Sequence, residues 1–163
     1  MGLHIRVFKP IERVTEADAD DDDVRLLNEV GNTAPGSMGL AVKTGYYRCQ
    51  EINVPIFHIP YSAFNWFRHG VCRMVHGKNI YEIWDDEESY EGEPFAPFLL
   101  SYDSDTSFDY ATAQHLYETF QRYLPEAKQY AAETAGDYWL SLYYTYMRIL
   151  LIAAKSKAVV LYR

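Results

Sequence analysis

Asn65, His69, Cys72 and His76 stand four, three and four residues apart, a spacing that gathers them within roughly a 60° arc if the segment is helical. Two imidazoles and a thiol are the ligands Zn²⁺ prefers, but ligands drawn from one helix seldom close a tetrahedron, so a further group would have to come from elsewhere. The same stretch carries Phe64, Phe67, Val71 and Val75 at core spacing. The four residues therefore read as the polar flank of an amphipathic helix, and no metal is expected. Asp18, Asp20, Asp22 and Glu29 occupy positions one, three, five and twelve of a Ca²⁺ loop, yet Asp23 stands where that loop needs glycine and Arg25 where it is apolar. A solvated acidic loop whose aspartates favour the next helix N-terminus is the better reading.

Two other groups bear on binding. Tyr61, Ser62, Asn65 and Arg68 begin the amphipathic helix, and Asp103, Asp105 and Asp109 follow an expected strand. Paired carboxylates there can act as acid and base or grip a ligand, although aspartate more often makes turns and caps helices. A pocket joining Tyr61, Ser62, Asn65 and Arg68 to Asp103 and Asp105 would suit a small ligand or a hydrolytic reaction; alternatively, Arg68 simply pairs with one of the aspartates and ties helix to loop. The run Asp85, Asp86, Glu87, Glu88, Glu91 and Glu93 either faces a basic partner protein or is a solvated loop. The chain contains no glycine-rich phosphate loop, Gly-x-Ser-x-Gly elbow or His-Glu-x-x-His helix, so no cofactor is expected.

The elements that must position these residues belong to an α+β domain. Leu3 to Phe8 alternates like a strand before Pro10, Val24 to Val30 reads as a short helix, and Asn32 to Gly39 as a loop. Gly45–Cys49, Val54–Ile59, Ile80–Trp84 and Pro97–Tyr102 are expected strands, with an acidic loop after Trp84. Helices are expected over 61–76, over 109–133 with Pro125 kinking or restarting it, and over 137–155. On the last of these, Ser141, Thr145 and Arg148 form a narrow polar stripe opposite Trp139, Leu142, Tyr143, Tyr146, Leu150 and Ala153. At sixteen residues, Trp139 to Ala154 falls short of the ~20 that a membrane helix needs. Ala158 to Tyr162 closes the chain as a strand able to pair with the first one.

At 163 residues the chain suits a single domain that buries roughly two-thirds of its unfolded surface. Aromatics make up 16% of it, with 15 tyrosines, so tyrosine must serve in the core as well as at the rim and its hydroxyls need partners. The net charge of −8 repels a phosphate backbone, and nucleic acid is not an expected partner. Two cysteines make no disulfide framework, and MGLHIRVFKP has neither the apolar core of a signal peptide nor the Ser or Thr of a myristoylation site. A cytoplasmic protein is expected.

The start MGLHIRV, the segments YSAFNWFR and FLLSYDSD, and the ending AVVLYR together resemble a family of small uncharacterised proteins encoded by bacteriophages and prophages. Members begin Met-Gly-Leu-Asp-Ile, carry Tyr-Ser-Gly-Tyr with a following Trp-Arg, continue through a strand to Ser-Asp-Cys-Glu-Gly and end in a strand after a helix. Tyr61, Ser62, Asn65 and Arg68 match the middle motif, whereas His4 replaces the early Asp and Asp103-Ser104-Asp105 lacks the Cys and Gly. The resemblance implies a phage or prophage origin and no particular activity. With the acidic, tyrosine-rich composition it leads to the expectation of a non-enzymatic accessory protein that binds another protein, the alternative being the small-ligand or hydrolytic pocket above.

Overall fold

Leu3, Ile5 and Val7 send alternate apolar side chains to one face and open a long strand, β1 (Gly2–Val14). The computed structural model describes residues 2–27, 41–101 and 106–163. The other strands are β2 (Val24–Leu27), β3 (Gly45–Ile52), β4 (His58–Pro60), β5 (Ser107–Phe108) and β6 (Val159–Tyr162). All pairings are antiparallel, in the order β2-β3-β1-β6-β5, with β4 paired to the start of β1. The first and last strands pair as expected, from Ile5 opposite Tyr162 to Phe8 opposite Val159. β1 does not stop before Pro10. Beyond Phe8 it no longer has β6 alongside, and a register shift between Pro10 and Glu12 takes up the irregularity.

The helices are α1 (Tyr61–His76), α2 (Ile80–Trp84), α3 (Glu87–Tyr90), α4 (Ala96–Leu99), α5 (Tyr110–Arg122), α6 (Leu124–Tyr130) and α7 (Asp137–Ser156), with a π-helical turn over Ala131–Ala135. α1 matches its expected bounds and ends at Gly77, whose φ of 65° is the left-handed stop that glycine adopts without strain. Pro125 restarts the chain as α6 rather than kinking one long helix. Five expectations are corrected. Val24–Leu27 is a strand beside β3, with 28–30 outside the described residues; Val54–Ile59 is a strand only from His58, where it pairs with β1. Ile80–Trp84 and the start of Pro97–Tyr102 are helical, because Asn79 and Glu82 form a reciprocal capping box and because residues 95–100 are buried on every side. Part of the expected acidic loop coils into α3.

The core fills the space between the inner face of the sheet and α1, α4, α5 and α7. Its centre is aromatic: Tyr146 lies 4.9 Å from Phe98, 5.3 Å from Phe120 and 5.9 Å from Phe57 between ring centroids. The buried tyrosine hydroxyls are partnered, Tyr143 donating to the Phe120 carbonyl at 2.6 Å and Tyr146 sharing a hydrogen bond with Tyr162. On α7 the six expected core residues are all buried, while Ser141 and Arg148 face solvent. Among the described residues no helix is long and apolar enough to cross a membrane.

Candidate functional site

The polar flank of α1 becomes one wall of an open groove. Ser62, Asn65, Trp66 and His69 recur every three or four residues on that flank, and α2 supplies the opposite wall with Ile80, Tyr81 and Trp84. The groove encloses about 390 Å³. Its floor is fixed from below. Arg68 points inward, 1% exposed, and its guanidinium donates to the Ser101 carbonyl at 2.5 Å and to Asn65 Oδ1 at 2.6 Å. The same group lies 4.7 Å over the Phe64 ring and 5.2 Å over the Trp84 ring. Trp84 donates its indole N–H to the Leu99 carbonyl at 2.8 Å, which pins α2 to α4.

The upper edge is aromatic and exposed. Trp66 stacks on Tyr138 of α7, centroids 6.0 Å apart and planes 10° from parallel. Tyr81 meets Trp84 edge-on at 5.4 Å. At the far end His69 accepts a hydrogen bond from Arg73 Nε through Nε2 at 2.9 Å. Burial, and secondly the Arg73 charge, lower the pKa of this imidazole, so it presents a neutral ring to the groove at pH 7.

Of the residues singled out by sequence, Ser62 and Asn65 line the groove and Arg68 lies beneath it, while Tyr61 packs half-buried against the core. Asp103 and Asp105, and Glu29 of the Ca²⁺ pattern, lie outside the described residues. Asp109 is a structural cap: fully buried, it accepts from the backbone N–H groups of Ala111 through one oxygen and of Ala41 and Val42 through the other, at 2.6–3.1 Å. Sequence reasoning missed Trp66, Tyr81 and Trp84. Trp66 was visible as a large aromatic off the core face of α1; Tyr81 and Trp84 were hidden by reading 80–84 as a strand, where they fall at odd spacing.

The soft-ligand pattern on α1 does not converge. Cys72 is turned into the core with its thiol against the Lys78 carbonyl at 3.3 Å, and burial raises its pKa to about 11. His76 packs on the Tyr90 ring at 5.2 Å. Among the described residues no three His, Cys, Asp or Glu side chains are placed to hold one ion. Ser62 and His69 share the groove but are two helical turns apart, about 10 Å along the axis, far beyond the reach of a proton transfer between them. A second hollow of about 370 Å³ lies beside the start of β1, bordered by Arg6 and Glu51 and by residues 52–56. Its two charges already satisfy each other in a bidentate pair at 2.8 Å.

No family model matches the chain, and neither a curated protein nor a solved structure does.

Proposed function

We propose that this chain is a non-enzymatic interaction protein, an accessory product of a phage or prophage genome, and that it meets a host or phage protein through the α1–α2 groove. One observation carries the reading: Trp66, Tyr81 and Tyr138 stand 42%, 64% and 56% exposed around one groove. Large aromatic side chains are the residues that anchor protein interfaces, and clustered exposure of this kind marks a surface that is covered in use. The rigid floor under Arg68 and Trp84 supports the same reading, because an interface formed on a preorganised surface loses little entropy on binding. The assignment of origin rests on the order of MGLHIRV, YSAFNWFR, FLLSYDSD and AVVLYR along the chain.

The test is parallel affinity capture from a lysate of the bacterium that carries the gene, with wild-type protein and with Trp66→Ala/Tyr138→Ser as baits. A protein retained by the wild type and lost from the variant is the expected result. Identical captures with both baits would place the interface elsewhere.

A second reading has one observation in its favour. The groove volume falls in the range of small-molecule sites, and Ser62, Asn65 and His69 supply polar groups between aromatic walls. In that reading Asn65 and Ser62 orient a small ligand stacked against Trp84, and binding survives removal of Tyr138.

A further inference from the structure

We infer that the α1–α2 groove takes a basic segment of its partner, with arginine side chains laid on the aromatic walls. The inference rests on the interaction reading above and adds the chemistry of what is bound. Guanidinium groups are attracted to the faces of Trp and Tyr when they lie within about 6 Å of the ring centroid. The molecule already makes this contact at the groove, with Arg68 5.2 Å over the Trp84 ring from beneath; Tyr81 and Trp66 offer exposed rings on the solvent side.

Charge argues for the same occupant. The acidic run begins where the groove wall ends: Asp85 follows Trp84, and its N–H bonds the Tyr81 carbonyl one turn back at 3.0 Å. Asp85, Asp86, Glu88, Glu91 and Glu93 are exposed. Among the described residues the ion pairs join Arg6 to Glu51 and Arg48 to Glu12 and Asp21, so none of them neutralises this run. The cations beside the groove keep their charge, since Arg68, Arg73 and Lys78 bond the neutral groups of Asn65, His69 and Tyr90, and Lys78 feels Glu82 and Asp86. The six carboxylates over 85–93 outnumber Lys78, so the segment that follows the α2 wall is net acidic while Arg73 stands beside His69 at the other end, and a basic segment fits entering from α2. A second copy of a chain carrying −8 is repelled from the same surface. A neutral sugar would use the aromatic rings and ignore the carboxylates.

The experiment is a fluorescence-anisotropy titration with a labelled peptide of about nine residues alternating arginine and glycine. Its control is the same peptide with citrulline, the neutral isostere, at each arginine. The arginine peptide is expected to bind at least roughly tenfold more tightly than the citrulline peptide, and to weaken severalfold between about 50 and about 500 mM salt. Tyr81→Ser and Trp66→Ala should each lower its affinity roughly fivefold, with far-UV circular dichroism unchanged. Asp85→Asn/Asp86→Asn, which changes only exposed carboxylates, should do the same and stands in if an aromatic variant folds poorly. Equal affinity for the two peptides, no binding of either, or arginine-peptide binding indifferent to Trp66 and Tyr81 would each overturn the inference. If lysate capture still loses its protein in the Trp66→Ala/Tyr138→Ser bait, the interaction reading stands and only the basic character of the partner is wrong.

Discussion

Arg68 joins three parts of the molecule through one planar group: α1 through Asn65, the end of α4 through the Ser101 carbonyl, and α2 through the Trp84 ring. Only a guanidinium has donors on a rigid fork and a flat face for stacking at the same time. A lysine ammonium could reach one acceptor but not reproduce the fork and the stack. Arg68→Lys and Arg68→Met are therefore both expected to lower unfolding free energy by about 2–3 kcal/mol in urea titrations, since Met leaves the buried Ser101 carbonyl without its donor and Lys buries an ammonium that can satisfy only one of the two acceptors. If Arg68→Lys instead lay within about 0.5 kcal/mol of wild type, an ordinary surface-level change, the guanidinium would be dispensable to the fold and available to a ligand. This residue also shows the limit of a motif. The Tyr-Ser-x-x-Asn-x-x-Arg pattern drew attention to the right turn of helix, but burial, not residue type, separates Ser62 and Asn65 in the groove from Arg68 beneath it.

The elements that were legible in sequence are those with room for a period to show. α1 and α7 each run for several turns with one apolar face, and β1 alternates over its first residues, so their type and packing face could be read directly. Even the close approach of the two long helices left a sign in Gly70, where a Cβ would sit 2.2 Å from the Trp139 indole nitrogen, itself donating to the Phe67 carbonyl at 3.1 Å. α2 and α4 were misread because four or five apolar residues fit a buried strand as well as a helical turn. For α2 the deciding signal was present in Asn79-Ile80-Tyr81-Glu82, the two ends of a capping box; for α4 only its surroundings decide. That cap matters to the site, because α2 is barely more than one turn long, and its buried Ile80 and Ile83 and the Trp84–Leu99 bond anchor its inner face while Tyr81 stands on the exposed one. Asn79→Ala should cost about 1 kcal/mol and speed hydrogen exchange of the amides at 81–85, while those at 66–76 in α1 keep their protection. Equal protection of 81–85 in the variant would mean that the burial of Ile80 and Ile83 and the Trp84–Leu99 bond order the wall without the cap.

At the scale of the whole molecule, acidification acts on opposing terms, and their signs can be separated. The folded chain carries 23 acidic against 15 basic residues, so protonating carboxylates first relieves self-repulsion and favours the compact state. Two imidazoles work the other way. His69 is lowered from its ordinary 6.5 by burial and then by Arg73, and His76 by burial, with Lys78 adding to the effect and Glu93 and the Pro94 backbone opposing it. A histidine whose pKa is lower folded than unfolded leaves the unfolded chain binding more protons, so stability rises with pH through that window and falls as pH drops below 6.5 toward the folded values. Glu51 is the opposite kind of group with the same consequence further down: its hydrogen bond with Arg6 holds its pKa below 4.5, and that contribution is present above 4.5 and lost beneath it. Subtracting a variant isolates the histidine contribution from the charge background. In thermal melts between pH 7.5 and 5, wild type should lose Tm relative to His69→Gln/His76→Gln, with the gap opening below about 6.5 and levelling off at a constant once both imidazoles are charged in the fold. Parallel curves across that range would show that neither imidazole is held neutral. His69 would then carry a positive charge into the groove at mildly acid pH no more reluctantly than a free histidine, and the groove's acidic character would weaken as its own end titrated.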